Sequence, residues 1–178
     1  MIDNLIDLFP AFTLIVNIIL AVFLVYWLIF RNKLSSKLKY FFINNGLLIA
    51  FIFAVFATTG SLLYSEYALY QPCKLCWYQR IFMYPQVIIL GIALWKKYIS
   101  ARLYSIIFSV IGSIFALYHY LTQRFPDLIS TGCTAGEVDC SFKYGFDYGY
   151  ITIPIMSLTA FIFIIVFISI WKKKESQV

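Results

Sequence analysis

Five long apolar runs dominate the 178 residues of this chain, in which 62% of residues are hydrophobic and 12% are charged. The runs cover residues 11–30, 40–64, 77–95, 103–122 and 150–171. Each is long enough to cross a hydrocarbon core of ~30 Å. Backbone polar groups in lipid must be satisfied within the protein, and runs without strict alternation can achieve this only as helices. The sequence therefore predicts an all-α integral membrane protein with five spans.

The first run is predicted to be a retained helix. It is preceded by Asp3 and Asp7 where a signal peptide carries basic residues, and no small-residue cleavage pattern follows it. We expect the N-terminal part, residues 1–39, to supply one additional transmembrane helix and a basic loop. Its expected role is packing, with no chemistry attached.

The distribution of charge predicts the orientation, because Lys and Arg collect in the cytoplasmic loops of membrane proteins. Three segments, after the first, third and fifth runs, hold ten of the fourteen basic residues. The alternate segments hold four basic residues and seven of the eight acids. The N-terminus and the loops 65–76 and 123–149 are therefore expected outside and the C-terminus in the cytoplasm. The net charge of +6 is explained by this topology, with no need for a nucleic-acid partner.

All four cysteines fall in the loops predicted to lie outside, in the compartment where disulfides persist. Spacing favours Cys73 with Cys76 and Cys133 with Cys140, although a transient bridge between the pairs is an alternative. Two structural interpretations compete with a redox one. A disulfide adds only ~2.5 kcal/mol by closing the loop from Cys133 to Cys140, and under ~2 kcal/mol by closing the one from Cys73 to Cys76. A four-cysteine zinc site favours two short knuckle pairs, and the second pair here is separated by six residues.

The redox interpretation has a physical basis in the stretch CKLCWYQR. Cys76 is expected near the first turn of the third helix, where the positive end of the helix dipole stabilises a thiolate. Arg80 follows at i+4 on the same helical face, so its charge is expected to lower the pKa of Cys76. Arg80 could instead extend toward the lipid headgroups.

A dithiol that oxidises other thiols needs an acceptor for its electrons. The sequence has no dinucleotide fingerprint and too few ligand side chains for haem or iron–sulfur clusters. A quinone dissolved in the bilayer, at the outer end of the third helix beside Cys76 and Arg80, fits what remains. His119 lies near the outer end of the fourth run, where it could hydrogen-bond the quinone, relay protons, or bond a neighbouring helix. Gln79 could also reach the quinone, or simply be an interfacial polar residue.

Taken together, PCKLCWYQR, the apolar helix after it, LYHYL, a second external cysteine pair and GYITIPIMSLTAF resemble the disulfide-bond formation protein B (DsbB) family, most closely its BdbC branch. The resemblance covers about residues 40–171, which we expect to form a four-helix redox domain within residues 40–178. The helix at 11–30 lies outside this pattern. The short spacing of the second cysteine pair also departs from this pattern, and it affects how far Cys140 can reach toward Cys73.

The resemblance implies a function. It implies a thiol:quinone oxidoreductase of the bacterial cytoplasmic membrane that reoxidises a thioredoxin-like, DsbA-type dithiol oxidase and reduces ubiquinone or menaquinone. Cys133 and Cys140 would exchange with the partner, Cys140 would attack Cys73, and Cys76 would pass electrons to the quinone, with Arg80 beside it. The alternative function is a non-catalytic membrane protein with a structural or zinc-binding four-cysteine cap.

Overall fold

The fold is all-helical over the part of the chain that the computed structural model describes, residues 2–30, 36–96, 100–127, 139–141 and 147–171. Five helices follow one another: α1 (Ile2–Phe30), α2 (Ser36–Glu66), α3 (Lys74–Lys96), α4 (Ser100–Arg124) and α5 (Ile153–Ile170). The five-helix prediction is confirmed. Four helices, α1, α2, α4 and α5, are long and apolar enough to cross a membrane.

The remaining helix, α3, is long enough to span a membrane but more polar. Its 23 residues measure about 35 Å at 1.5 Å per residue. Two of its polar side chains, Gln79 and Gln86, are buried in the bundle and are therefore not presented to lipid. Large apolar side chains are exposed on the outer faces instead, among them Ile88 on α3. The hydrocarbon of a bilayer is the environment that such a surface requires.

The last helix begins three residues later than the apolar run predicts. Asp147 and Ile151 pair through their backbones across a tight turn, in which Tyr148 and Gly149 have positive φ angles. Thr152 is extended, and Pro154 occupies the first turn of α5, where the missing N–H of proline has no helical partner to lose. The turn therefore takes residues that the run had assigned to the helix.

Helices α2 to α5 form a closed ring in which each packs on two neighbours, in the order α2, α3, α4, α5. Small buried residues let the backbones approach, as is common in membrane bundles. Gly112 on α4 shows this most clearly, because a Cβ there would overlap the ring of the fully buried Phe161 on α5. Helix α1 lies outside the ring and contacts α5 and α2.

One polar network joins α3 to α4 in the middle of the bundle. The Gln86 amide nitrogen donates to the Ser105 carbonyl at 3.0 Å and to Ser109 Oγ at 2.7 Å. The Ser105 hydroxyl donates back to Gln86 Oε1 at 2.8 Å. All three side chains are fully buried, and in lipid such bonds stabilise helix pairs by ~0.6–2 kcal/mol each.

Candidate functional site

A dithiol lies at the start of α3. The Sγ atoms of Cys73 and Cys76 are 3.2 Å apart and share a hydrogen bond, and both cysteines are free thiols in this structure. Cys73 is buried and Cys76 is half-buried. The two sulfurs are close enough that forming a disulfide between them needs only a small adjustment of their side chains.

Cys73 occupies the cap position of α3. Its carbonyl accepts the N–H of Trp77 at 3.1 Å, and its Sγ accepts the N–H of Cys76 at 3.4 Å. This side-chain bond to the third helical N–H is the one that a helix N-cap makes. The helix dipole therefore acts most directly on the sulfur of Cys73.

His119 reaches the same sulfur from α4. Its Nδ1 accepts a hydrogen bond from the Gln79 amide at 2.9 Å, so the ring proton lies on Nε2. Nε2 is 3.5 Å from Cys73 Sγ and 3.2 Å from the carbonyl oxygen of Cys140, and it donates toward both acceptors. His119 is buried, and this arrangement makes it a link between α3, α4 and the loop that carries Cys140.

The hydrogen bonds at Cys73 change its acidity. The bond with the Cys76 thiol, which acts as donor once Cys73 is ionised, holds the pKa of Cys73 well below its usual range, against the opposing effect of burial. The hydrogen bond from His119 lowers the pKa further. The sequence predicted that the stabilised thiolate would be at Cys76. The structure places it at Cys73, because cap, thiol and imidazole donors all converge there.

Cys140 packs directly against this centre. It is fully buried in a small cluster with Cys73 and Leu75. It is disulfide-bonded, and neither Cys73 nor Cys76 is its partner, since both are free. Cys133 lies outside the described residues, so its predicted pairing with Cys140 stays a prediction. Ser141 donates its N–H and its hydroxyl to Asp139 at 2.9 and 2.8 Å, which shapes the turn around Cys140.

Arg80 lies on the other side of the dithiol. Its Nε donates to Ser61 Oγ and its guanidinium to the Ser61 carbonyl, both at 3.1 Å. The guanidinium also lies 5.3 Å from the ring centre of Trp77, within cation–π range. Arg80 is thus fixed between α3 and α2. Sequence phase placed it correctly on the Cys76 face of the helix, but Ser61, its anchor on α2, was not anticipated.

A cavity of about 120 Å³ opens beside Cys76 and Arg80. Its walls are mainly apolar and aromatic, with rings from Phe53, Phe56 and Tyr84. Cys76 lines this cavity, whereas Cys73 and His119 do not. We therefore do not assign His119 a contact with an electron acceptor in this cavity. Its side chain is occupied with the two cysteines instead.

The cluster also offers metal ligands. Among the residues that the structure describes, the ligand atoms of Cys73, Cys76 and His119 lie within 4.8 Å of one another. The four-cysteine cap considered from sequence is not what these residues form, because the Cys140 sulfur is already in a disulfide. A metal held here would have three protein ligands, one of them the histidine.

Comparison with known proteins decides the family. The family model for disulfide bond formation protein DsbB matches residues 44–171, well over half of the chain. The chain belongs to the DsbB family.

The curated relatives of this DsbB-family chain are shorter than it, because each match covers a larger share of the relative than of this chain. It is 43% identical over 124 residues to a probable disulfide formation protein C of Halalkalibacterium halodurans, covering 70% of this chain and 90% of the relative. It is 40% identical over 128 residues to the disulfide bond formation protein C of Bacillus subtilis, covering 72% and 93%. A probable disulfide formation protein of Oceanobacillus iheyensis is 45% identical over 136 residues, covering 76% and 90%. No solved structure matches the chain.

The predicted resemblance, to DsbB and most closely to BdbC, is confirmed by these relatives. The DsbB-family match contains all four cysteines, Arg80 and His119, and it begins after α1. Sequence reasoning missed the bond from Gln79 to His119 and the contact of Arg80 with Ser61. Both join residues 19 or more positions apart on different helices, and nothing in the local pattern of residues signals such pairs.

Proposed function

We propose that this chain is a membrane thiol:quinone oxidoreductase that reoxidises a thioredoxin-like, DsbA-type dithiol oxidase. Family membership supports the coarser role, disulfide bond formation. One observation carries the finer role: the dithiol has two different sides. Cys73 is buried against Cys140, the route by which thiol electrons would arrive, and Cys76 lines an aromatic cavity beside Arg80.

The proposed exchange runs through the cysteines as follows. The dithiol of the partner reduces a disulfide between Cys133 and Cys140, and its own two sulfurs become bonded to each other. The Cys140 thiolate attacks Cys73 in the oxidised Cys73–Cys76 pair, forming a Cys73–Cys140 bond and releasing the Cys76 thiolate. Cys133 then attacks Cys140, which frees Cys73. Two electrons have moved from the partner to the Cys73–Cys76 pair, and only disulfide exchange has occurred.

The residues around the pair support the second half of the cycle. A bound quinone would accept two electrons and two protons. The Cys73–Cys76 disulfide re-forms when the dithiol gives them up. The lining of the cavity suits such a molecule, because its rings can contact an aromatic head while Arg80 offers a cationic donor. His119 donates its N–H to the Cys73 thiolate and so stabilises the reduced pair. Ubiquinone and menaquinone both meet these requirements.

The proposal also includes an orientation and a division of the chain. The cysteines and the N-terminus lie outside the bacterial cytoplasmic membrane and the C-terminus lies in the cytoplasm, as the distribution of Lys and Arg indicates. Residues 40–178 form the four-helix redox domain, and residues 1–39 add the extra helix and a basic loop.

Substitution of the cavity-lining cysteine tests this function. We expect Cys76→Ser to abolish quinone reduction by a reduced DsbA-type protein, because no second sulfur remains to re-form the disulfide. The measurement is the loss of quinone absorbance with purified protein. Ile88→Ala, an exposed position on the same helix, is the matched control and should retain full turnover. Normal turnover by Cys76→Ser would refute the proposal.

A second candidate function is a non-catalytic zinc site, favoured by the closeness of Cys73, Cys76 and His119. It predicts one zinc per purified chain, with the two thiols reacting only after chelation. The oxidoreductase predicts metal-free protein in which alkylation trapping in membranes finds all four cysteines disulfide-bonded.

A further inference from the structure

The helix outside the family pattern forms part of the cavity. Four side chains of α1 line it, and they recur at helical spacing on one face: Phe9, Phe12, Thr13 and Val16. The opposite face carries exposed apolar residues, including Ile18 and Val25, which suit lipid. Helix α1 therefore has a cavity face and a lipid face, although almost every residue on both is apolar.

The cavity face of α1 is held firmly in place. The Phe9 ring lies 5.6 Å from the rings of both Phe56 and Tyr64 on α2, centre to centre. Gly60 allows this approach, because a Cβ there would be 2.9 Å from the Phe9 ring. On the other side, Thr159 of α5 donates a hydrogen bond to Asn17 Oδ1 at 2.8 Å.

The position of α1 relative to the dithiol is informative. Within the described residues, Cα atoms of α1 come within 8 Å of α2 and α5 but not of α3, although α1 and α3 both line the cavity. The cavity thus separates α1 from the helix that carries Cys76 and Arg80. Without α1, the cavity would lose its wall on the side away from the reacting sulfur.

We propose that α1 is the specificity wall of the acceptor site: its face of Phe9, Phe12, Thr13 and Val16 contacts the quinone and sets the size of head that the cavity accepts. This inference rests on the proposed function, since it assumes that the cavity binds a quinone. It assigns a binding role to a helix that sequence reasoning treated as packing alone.

The test measures binding separately from turnover, using the full-length protein in nanodiscs. The probes are ubiquinone-1, with a single ring, and menadione, with two fused rings, titrated by calorimetry. Val16→Phe fills the cavity and should weaken ubiquinone-1 binding by about tenfold and menadione binding by more, because buried space does not tolerate added volume. Phe12→Ala removes a ring from the wall and should weaken both. Ile18→Phe adds a ring on the lipid face and should leave both affinities within about twofold.

A second readout separates the acceptor site from the thiol site. Without quinone, a reduced DsbA-type partner should reduce the cysteines of Val16→Phe and wild type at the same rate. If wild type binds quinone but Val16→Phe and Phe12→Ala bind it equally well, the α1 inference is overturned and the proposed function stands. If wild type binds neither probe and reduces neither, the proposed function itself fails, and the inference fails with it.

Discussion

At the scale of the residue, the pKa of Cys73 depends on its neighbour Cys76 and also on His119, a partner that the sequence does not reveal. The spacing of Cys76 and Arg80 showed which residues share a helical face. It could not show that Arg80 would turn to Ser61 on α2 while His119 of α4 approached Cys73. Helical phase is local and can be read from one segment. The choice of hydrogen-bond partner depends on how separate helices come together.

His119 gives a prediction at this scale. We expect His119→Ala to raise the pKa of Cys73 by about one unit, because a hydrogen bond to a charged group contributes ~1.5–3 kcal/mol. In wild type the Cys73 thiolate should persist as pH falls below neutrality, and it should be lost only as pH falls through the lowered pKa. In the variant this loss should occur at higher pH. The measurement is thiolate absorbance at 240 nm, as reduced minus oxidised protein against pH.

The same titration has a consequence for stability. Because the folded pKa of Cys73 lies below the unfolded one, the thiolate stabilises the reduced fold above the unfolded pKa, and this contribution is lost as pH falls through the folded value.

For the His119→Ala titration, Leu117→Ala, an exposed position on α4, serves as the control and should titrate like wild type. An unchanged titration in His119→Ala would show that the imidazole does not stabilise the thiolate.

At the scale of the element, the sequence predicted the existence of every helix but not which of its faces meets a neighbour. Run length identified α1 as a helix, yet its residues are apolar all round, so periodicity gave no sign that Phe9 and Phe12 face a cavity. The role of Gln86 in joining α3 to α4 could likewise not be predicted, because its partners Ser105 and Ser109 lie on the next helix.

The contact between α4 and α5 carries a prediction about stability. Gly112→Ala should destabilise the bundle by ~1–3 kcal/mol, because the added methyl group overlaps the buried ring of Phe161. Unfolding in SDS would measure the loss. Val110→Ala, at an exposed site on α4, should cost less. Adding Phe161→Leu to Gly112→Ala should recover part of the stability. Strict additivity of the two changes would mean that the two sites do not interact.

At the scale of the whole molecule, composition alone was sufficient to predict a helical membrane protein, because a chain this apolar has few other ways to satisfy its backbone. The ring of four helices and the outer position of α1 could be seen only in the structure, because the length of an apolar run does not determine which helices pack together. The proximity of the cysteine loop to the start of α3 was expected only through the family resemblance.

Orientation is a prediction at this scale. A C-terminal green fluorescent protein should fluoresce in cells, and alkaline phosphatase fused at the same point should be inactive, because we expect the basic C-terminal segment to stay in the cytoplasm. Active phosphatase at the C-terminus would reverse the topology and place the dithiol on the wrong side for the proposed partner.

The buried amide of Gln86 has a geometric consequence for the redox centre. Gln86 lies 13 residues from Cys73 along the chain and Ser105 lies 14 residues from His119, each about 20 Å at helical rise. The two helices are thus joined at one point, and nearly equal lengths of helix separate that point from Cys73 and from His119. A slip of one turn would move the imidazole ~5.4 Å along α3 and away from the sulfur. The hydrogen bonds of Gln86 deep in the bilayer therefore keep His119 Nε2 in register with Cys73 Sγ, 3.5 Å away, at the edge of the bilayer.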